Sequence, residues 1–425
     1  MIDKRYTPVA LKNTNFFKPL KLNSKITLKH RGVMAPLTRF RADFDHVPRL
    51  DKDYLKSSEW KKFLASSESK IDTTSQRGLV EEYYYQRSLR PGTLVLSEAT
   101  YISPAAGGDD FIPGIWNKTQ VNAWKQIINT VHQNKSFFFL QLWNIGRQAN
   151  PKILRRDGLP YLSASGVYNE RNDFVPSKKI AEESNNVLRA CTIEEIENFK
   201  KDYVNATKNA LEAGSDGVEI HAANGYLLNQ FLDLGSNKRT DQYGPQSFEN
   251  RSRFLFEVYD LLAKEFGSEK IGLRLSPYGV FGGMTGDKNI KDTNALYAYI
   301  YDEFEKRRQA GNGPVYISIM EPRCADITKN EGSGALEGVS NDYIFDHYKG
   351  VVIRAGDLIL GNQFTKEIVD QNDRTLCMFG RYFISNPDLI DRLENEWPVN
   401  KYNRNTFYTR DFKGYVDYPY YKIDK

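Results

Sequence analysis

A chain of 425 residues, 40% of them hydrophobic, can build a sizeable core, and its length suits either several ordinary domains or one long α/β barrel with insertions. The net charge of +5 comes from 59 basic and 54 acidic residues interspersed along the chain, which argues against a nucleic-acid partner. No run of about 18 apolar residues occurs, so no membrane-spanning helix is expected. Cys191, Cys324 and Cys377 match no zinc or disulfide spacing and no apolar leader opens the chain, so a cytoplasmic protein with reduced thiols is expected. The 26 Tyr and 24 Phe suit both core filling and the binding of flat, partly polar ligands.

In chain order, Phe17–His30 reads as a hairpin turning at Asn23-Ser24 and capping the bottom of a barrel. The first strand, Gly32–Pro36, is followed by a polar segment, 46–78, with Trp60 and Phe63 as its anchors. An unstructured connection of that length exceeds the usual ~12–15 residues, so the segment is either a surface insertion or a lid over the barrel mouth. Strands are then predicted at Thr93–Thr100, Phe137–Trp143, Gly217–His221, Gly272–Ser276, Val315–Glu321, Val351–Ala355 and Leu376–Phe379. Several are near-continuous apolar runs, as strands covered on both faces should be.

Helical patterns separate these strands. Thr192-Ile-Glu-Glu195 has the spacing of a capping box, with Ile196, Phe199, Tyr203 and Ala210 on one face and Gly214 as a stop. Phe254, Leu255, Val258, Leu261 and Leu262 form a second apolar face, ended by Gly267. A further helix is expected over Asn294–Arg308, and Asn386-Pro387 reads as a cap followed by proline at the first helical position. Eight strands with crossover helices predict an α/β fold of the (β/α)₈ TIM-barrel type, a single domain over 1–425 with an N-terminal hairpin cap and an insertion after strand 1. An open doubly wound sheet is the competing architecture, but no GxGxxG follows an early strand.

In such a barrel the polar residues at the C-terminal ends of strands are the catalytic candidates. They are Thr38 after strand 1, Gln141 and Trp143 on strand 3, His221 and Asn224 after strand 4, and Arg274 on strand 5. Strands 7 and 8 end at Gly356 and at Gly380-Arg381, where barrels commonly bind phosphate. Donors, one fixed cation and an anion site suit an anionic, flat, hydrogen-bonding cofactor beside a substrate carbonyl. No metal cluster, GxSxG or paired-carboxylate hydrolase motif stands out.

Ala35-Pro-Leu-Thr-Arg39, Arg90-Pro-Gly-Thr93, Gln141-Leu-Trp143, Gly217-Val-Glu-Ile-His-Ala-Ala-Asn-Gly-Tyr226, Gly272-Leu-Arg-Leu-Ser-Pro277 and Ile384-Ser-Asn-Pro-Asp388 together resemble the Old Yellow Enzyme family, above all its fungal members. The resemblance runs from about Thr14 to Tyr420, apart from 46–78. It implies FMN as cofactor, NADPH (or NADH) as reductant, and ping-pong reduction of the C=C bond of α,β-unsaturated carbonyl compounds. Activated alkenes would be the substrates and phenols ligands of the same pocket, with a homodimer left open. FMN would be held by Pro36, Leu37, Thr38, Ala99, Gln141, Arg274, Gly356, Asp357, Gly380 and Arg381. Thr38 would bond the flavin O4, and Gln141 and Arg274 its pyrimidine edge. His221 and Asn224 would donate to the substrate carbonyl, Tyr226 would supply a proton, and Trp143, Tyr408 and Phe281 would shape the pocket.

Three departures from the fungal pattern stand out. Asp357 replaces Asn, Met378 replaces a glycine, and the loop Cys324–Asn330 lacks an aromatic pocket residue. The first two are expected at the phosphate site, with the Asp357 carboxylate turned to solvent and Arg381 as counter-charge. They motivate an alternative, a weakly flavinated phenol- or steroid-binding homologue with little reductase activity. A cofactor-free hydrolase has no nucleophile–base motif behind it.

Overall fold

The computed structural model describes residues 1–66, 76–169, 171 and 177–422. Among these, eight parallel strands close on themselves: β1 (Gly32–Met34), β2 (Leu94–Leu96), β3 (Phe137–Trp143), β4 (Gly217–Ala222), β5 (Ile271–Leu275), β6 (Tyr316–Met320), β7 (Val352–Ala355) and β8 (Thr375–Phe379). Each pairs with the next in chain order, and β8 closes the ring on β1 through Cys377↔Gly32 and Met378↔Val33. The (β/α)₈ expectation holds. A short parallel extension, Thr100–Tyr101, lengthens the β3 side of the mouth by pairing with Leu142 and Trp143.

Period-two alternation sorts the side chains. Val33, Leu94, Leu96, Phe139, Tyr316, Ile353, Leu376 and Met378 cluster inside the ring. Leu140, Leu142, Val218, Ile220, Leu273, Ile317 and Val352 instead join the layer that meets the helices. The same alternation that sends Val218 and Ile220 outward sends Glu219 and His221 inward.

Helices α1 (Leu79–Ser88), α2 (Lys118–Gln133), α3 (Ile193–Glu212), α4 (Phe248–Phe266), α5 (Ile290–Gln309), α6 (Ile344–His347) and α7 (Asn362–Gln371) cover that outer layer. The capping box before α3 is present: Thr192 Oγ1 accepts from the Glu195 N–H, and the Glu195 carboxylate accepts from the Thr192 N–H. Gly267, at φ +91°, ends α4 as its sequence suggests. Leu261, placed on the apolar face of α4, is in fact 41% exposed.

Asn386-Pro387 does not cap a helix. The chain forms α8 (Arg381–Ser385), and α9 (Leu389–Asn395) starts after Asp388. The Asn386 side chain is engaged elsewhere, accepting from the Asn400 N–H at 2.7 Å and donating to the Asn400 carbonyl at 3.1 Å. This tertiary tie to the C-terminal segment outcompetes local capping.

The hairpin Leu20–Lys21/Thr27–Leu28 is antiparallel, and Asn23 Oδ1 accepts from the N–H groups of Lys25 and Ile26 to make its turn. Leu20, Leu22, Ile26 and Leu28 pack into the interior cluster beside Leu94 and Val315, at the N-terminal ends of the strands. They close the bottom and leave the C-terminal mouth as the way in. Within 46–78, Asp53–Lys56 and Ser58–Leu64 are short helices, and Trp60 is buried against Tyr54 and Phe412. Residues 67–75 lie outside the described residues. No helix among the described residues is long and apolar enough to cross a membrane.

At the end of β7, Arg354 makes a two-pronged pair with Glu321, Nε–Oε1 2.5 Å and Nη2–Oε2 3.0 Å, with both side chains 2% exposed. Breaking such a pair leaves a buried charge without compensation. Arg354→Met should therefore lower unfolding stability by about 3–5 kcal/mol, measured by denaturant titration.

Candidate active site

A cavity of about 460 Å³ opens at the C-terminal mouth, within the size range of small-molecule sites. All the candidates named from sequence line it. Pro36, Leu37 and Thr38 follow β1, Ala99 follows β2, Gln141 and Trp143 stand on β3, and Arg274 on β5. His221, Asn224 and Tyr226 come from the end of β4 and the turn after it, and Phe281 from the loop after β5. Gly356 and Asp357 follow β7, Gly380 and Arg381 follow β8, and Tyr408 enters from the C-terminal segment.

The turn after β4 is held from all sides. Asn224 and Gly225 are both left-handed, at φ +56° and +71°. Asn224 N–H donates to Ser276 Oγ at 2.8 Å and Gly225 N–H to Asn229 Oδ1 at 2.8 Å. The Gln148 amide donates to both their carbonyls, at 3.0 and 2.9 Å. The backbone is thus saturated, while the Asn224 side chain reaches the cavity. The Tyr226 ring meets Trp143 edge-on at 4.7 Å and His221 at 4.9 Å, and Trp143 stacks on Tyr101 at 5.0 Å. The Trp143 indole N–H and His221 Nδ1 are buried without a hydrogen-bond partner.

Burial governs the protonation states. It drives His221 well below the usual imidazole range, with Arg274 adding to the effect, so the ring is neutral at physiological pH. It pushes the Tyr226 hydroxyl well up, which keeps its proton on. Beneath them Glu219 accepts from the Gln141 amide at 2.6 Å, and burial raises its carboxyl to about 7. Arg274 is buried in the barrel, where its two terminal nitrogens lie 2.7 and 2.8 Å from the sulfurs of Met378 and Met320. Thioether sulfur is a weak acceptor. The guanidinium has no direct oxygen partner among the described residues.

Two expectations at the other end of the cavity are corrected. Asp357 does not face solvent: it is 7% exposed, and one carboxylate oxygen accepts from the Gly332 N–H at 3.1 Å while the other is buried without a partner. The loop after β6 folds over it and brings Glu331 to the same wall. Met378 does not belong to this end either, because period-two alternation turns it into the barrel against Arg274. Arg381 donates to the carbonyls of Ile327 and Lys329 and so fastens that loop. The loop contributes Cys324 and Ile327 to the cavity, and no aromatic ring, in agreement with its sequence.

Residues 61–400 match the NADH:flavin oxidoreductase / NADH oxidase family. The chain belongs to that family. This flavin oxidoreductase is 42% identical over 419 residues to enoate reductase 1 of Kluyveromyces lactis, covering 98% of this chain and 96% of that one. It is 40% identical over 415 residues to a probable NADPH dehydrogenase of Candida albicans, with 97% and 92% covered. The Old Yellow Enzyme of Pichia sp. superimposes with a TM-score of 0.83 at 38% identity, over 98% of this chain and 96% of that one. The resemblance read from sequence is thereby established.

The residues present in the flavin oxidoreductase fit FMN. Arg274 is a buried cation lacking an oxygen acceptor, Gln141 places an amide beside it, and the N-terminus of α8 at Gly380 has no side-chain cap. Sequence reasoning missed Glu219, Asp109 and Glu331. Glu219 carried a signal, since it stands two positions before His221 on one strand. Asp109 and Glu331 sit on loops whose course follows no periodicity. A Cβ at Gly225 would lie 2.5 Å from the Phe281 carbonyl oxygen, on a backbone that disfavours L side chains. Gly225→Ala should cost about 1–3 kcal/mol of stability, seen as a lowered thermal midpoint.

Proposed function

We propose that the enzyme reduces the C=C bond of α,β-unsaturated carbonyl compounds with NADPH, through side-chain roles set by the geometry of the β4 turn. The observation that carries this reading is the convergence of a neutral imidazole, a side-chain amide and a protonated phenol on one cavity above a buried cation. Bound FMN would supply the hydride chemistry that links the nicotinamide to the substrate β-carbon.

The chain supplies the rest. Thr38, Gln141 and Arg274, with Pro36, Leu37 and Ala99 alongside, would hold the ring system, and Arg274 would offset negative charge there. Gly356, Gly380 and Arg381 would take the phosphate, with Asp357 beside them. His221 and Asn224 donate to the substrate carbonyl oxygen, where charge builds as the β-carbon is reduced. A neutral imidazole serves this purpose without the cost of a second buried cation beside Arg274. Tyr226 keeps its proton until the α-carbon becomes basic enough to take it. Trp143, Tyr408 and Phe281 wall the pocket with rings, which also suits phenolic ligands.

The weakly flavinated alternative is not favoured, because His221, Asn224 and Tyr226 all line the cavity and the relatives named above include an enoate reductase and a probable NADPH dehydrogenase. Steady NADPH-dependent reduction of 2-cyclohexenone by the yellow protein tests the proposal. Bound flavin that NADPH reduces but cyclohexenone does not reoxidise would overturn it. A long-wavelength absorption band on adding phenol checks the ligand reading.

Tyr226→Phe should slow the oxidative half-reaction about 10²–10⁴-fold, read by stopped-flow reoxidation of the reduced enzyme. His221→Ala and Asn224→Ala should each cost about 3 kcal/mol of transition-state stabilisation in the same assay.

Glu331 and Asp357 at the phosphate end make flavin binding proton-linked. Burial raises both carboxyls, that of Glu331 to about 8. A neighbouring phosphate raises Glu331 further, so binding favours the protonated form. Affinity for FMN is then full below about pH 8 and falls above it, by at most tenfold per pH unit. Fluorescence titration of the apoprotein with FMN should show this fall, and Glu331→Gln should remove most of it.

A further inference from the structure

Two consecutive carboxylates in the loop Ser103–Phe111 meet opposite fates. Asp110 turns away into a two-pronged pair with Arg156, at 2.8 and 3.1 Å. Asp109 lines the main cavity together with Tyr226, Trp143 and Ile145. No hydrogen bond or cation meets its carboxylate among the described residues, and its surroundings contribute only burial and the neighbouring Asp110 charge.

The loop is held in place by close backbone approach. A Cβ on Gly107 would lie 3.0 Å from the Tyr101 ring, and one on Gly108, at φ +142°, 2.4 Å from Ala149 Cβ. The Asn150 N–H donates to the Gly108 carbonyl at 3.1 Å. After those two glycines, residue 109 carries the next side chain. Tyr101, which Gly107 packs against, stacks on Trp143, and Trp143 meets Tyr226. Asp109 therefore shares one rigid wall with the proposed proton donor.

The cavity's own cations are engaged elsewhere. Arg381 and Arg404 donate to the backbone carbonyls of residues 327–329, and Arg274 lies on the sulfurs of Met320 and Met378. A half-buried carboxylate without a partner is stabilised by any cation that reaches it.

We propose that Asp109 is a specificity residue that selects substrates bearing a positively charged nitrogen away from the reacting double bond. The inference rests on the function proposed above and names the substrate class of that same site. A bound ammonium group completes the missing ion pair, a neutral substrate leaves the carboxylate bare, and an anionic one is repelled. Burial and Asp110 hold the Asp109 carboxyl at about 7, and the Tyr101 and Tyr226 hydroxyls that face it stay protonated. The selection is present above neutrality, where the group is ionised, and is lost as pH falls and the carboxyl takes its proton.

Three probes test this with the yellow holoenzyme: cinnamaldehyde, its 4-trimethylammonio derivative and its 4-carboxylate derivative. Their charges are fixed near neutrality, so any pH dependence of the kcat/KM ratios belongs to the protein. At about pH 8 the cationic probe should exceed the neutral one by about tenfold, and the anionic probe should fall below it by a similar factor. The ordering should fade towards pH 6, and Asp109→Asn should bring the three within about twofold at every pH. Ratios within twofold for the unaltered enzyme at every pH, or an ordering unchanged in Asp109→Asn with normal flavin absorbance, would overturn the proposal. Binding of phenol against 4-trimethylammoniophenol, followed by the flavin spectrum, reads the same preference without turnover. If no cinnamaldehyde is reduced but Asp109→Asn removes a preference for the cationic phenol, the proposed reaction fails while the role of Asp109 stands.

Discussion

A guanidinium enclosed in a closed ring of strands constrains everything built above it. Arg274 sits inside the barrel with sulfur as its nearest acceptors and Glu219 as the nearby acid. A cation in that position costs several kcal/mol unless an anion or strong acceptors face it. Its field, added to burial, keeps His221 neutral, and its charge and the Gln141 amide stabilise the ionised form of Glu219. An anionic planar ligand over the mouth of the barrel supplies the acceptors that the protein itself withholds.

The two ends of the cavity follow different electrostatic rules. At the β4 turn, uncharged donors converge and the backbone is saturated, so the side chains are left to face the cavity. At the β7–β8 end, Asp357 and Glu331 share the wall with Arg381, and burial pushes both carboxyls towards their neutral forms. Protonated, they cease to repel an anion and gain a donor each. That reconciles an acidic pair with the proposed phosphate site, at the cost of making the site sensitive to pH.

The loops decide how the cavity is finished. The segment after β6 folds back over Asp357 through Gly332, fastened by Arg381 and Arg404. The two glycines before Asp109 let a loop press against Tyr101 and Ala149. Each set of contacts places a carboxylate that strand periodicity does not announce.

The strands, the main helices and the candidate residues at the strand ends were legible in the sequence, because period-two alternation and helix caps are local. The motif from Gly217 to Tyr226 also carried the family, since ten consecutive residues form one long and specific pattern. Asn386 escaped that reading because a bond to Asn400 outcompetes a local cap. Asp357 escaped because its direction depends on Gly332, 25 residues away, whereas the inward direction of Met378 follows from the alternation of its own strand. The sequence by itself determined a barrel with a neutral-donor turn at its mouth. Only the tertiary structure decided which carboxylates stand bare in the cavity, because burial and the absence of a partner arise from long-range packing.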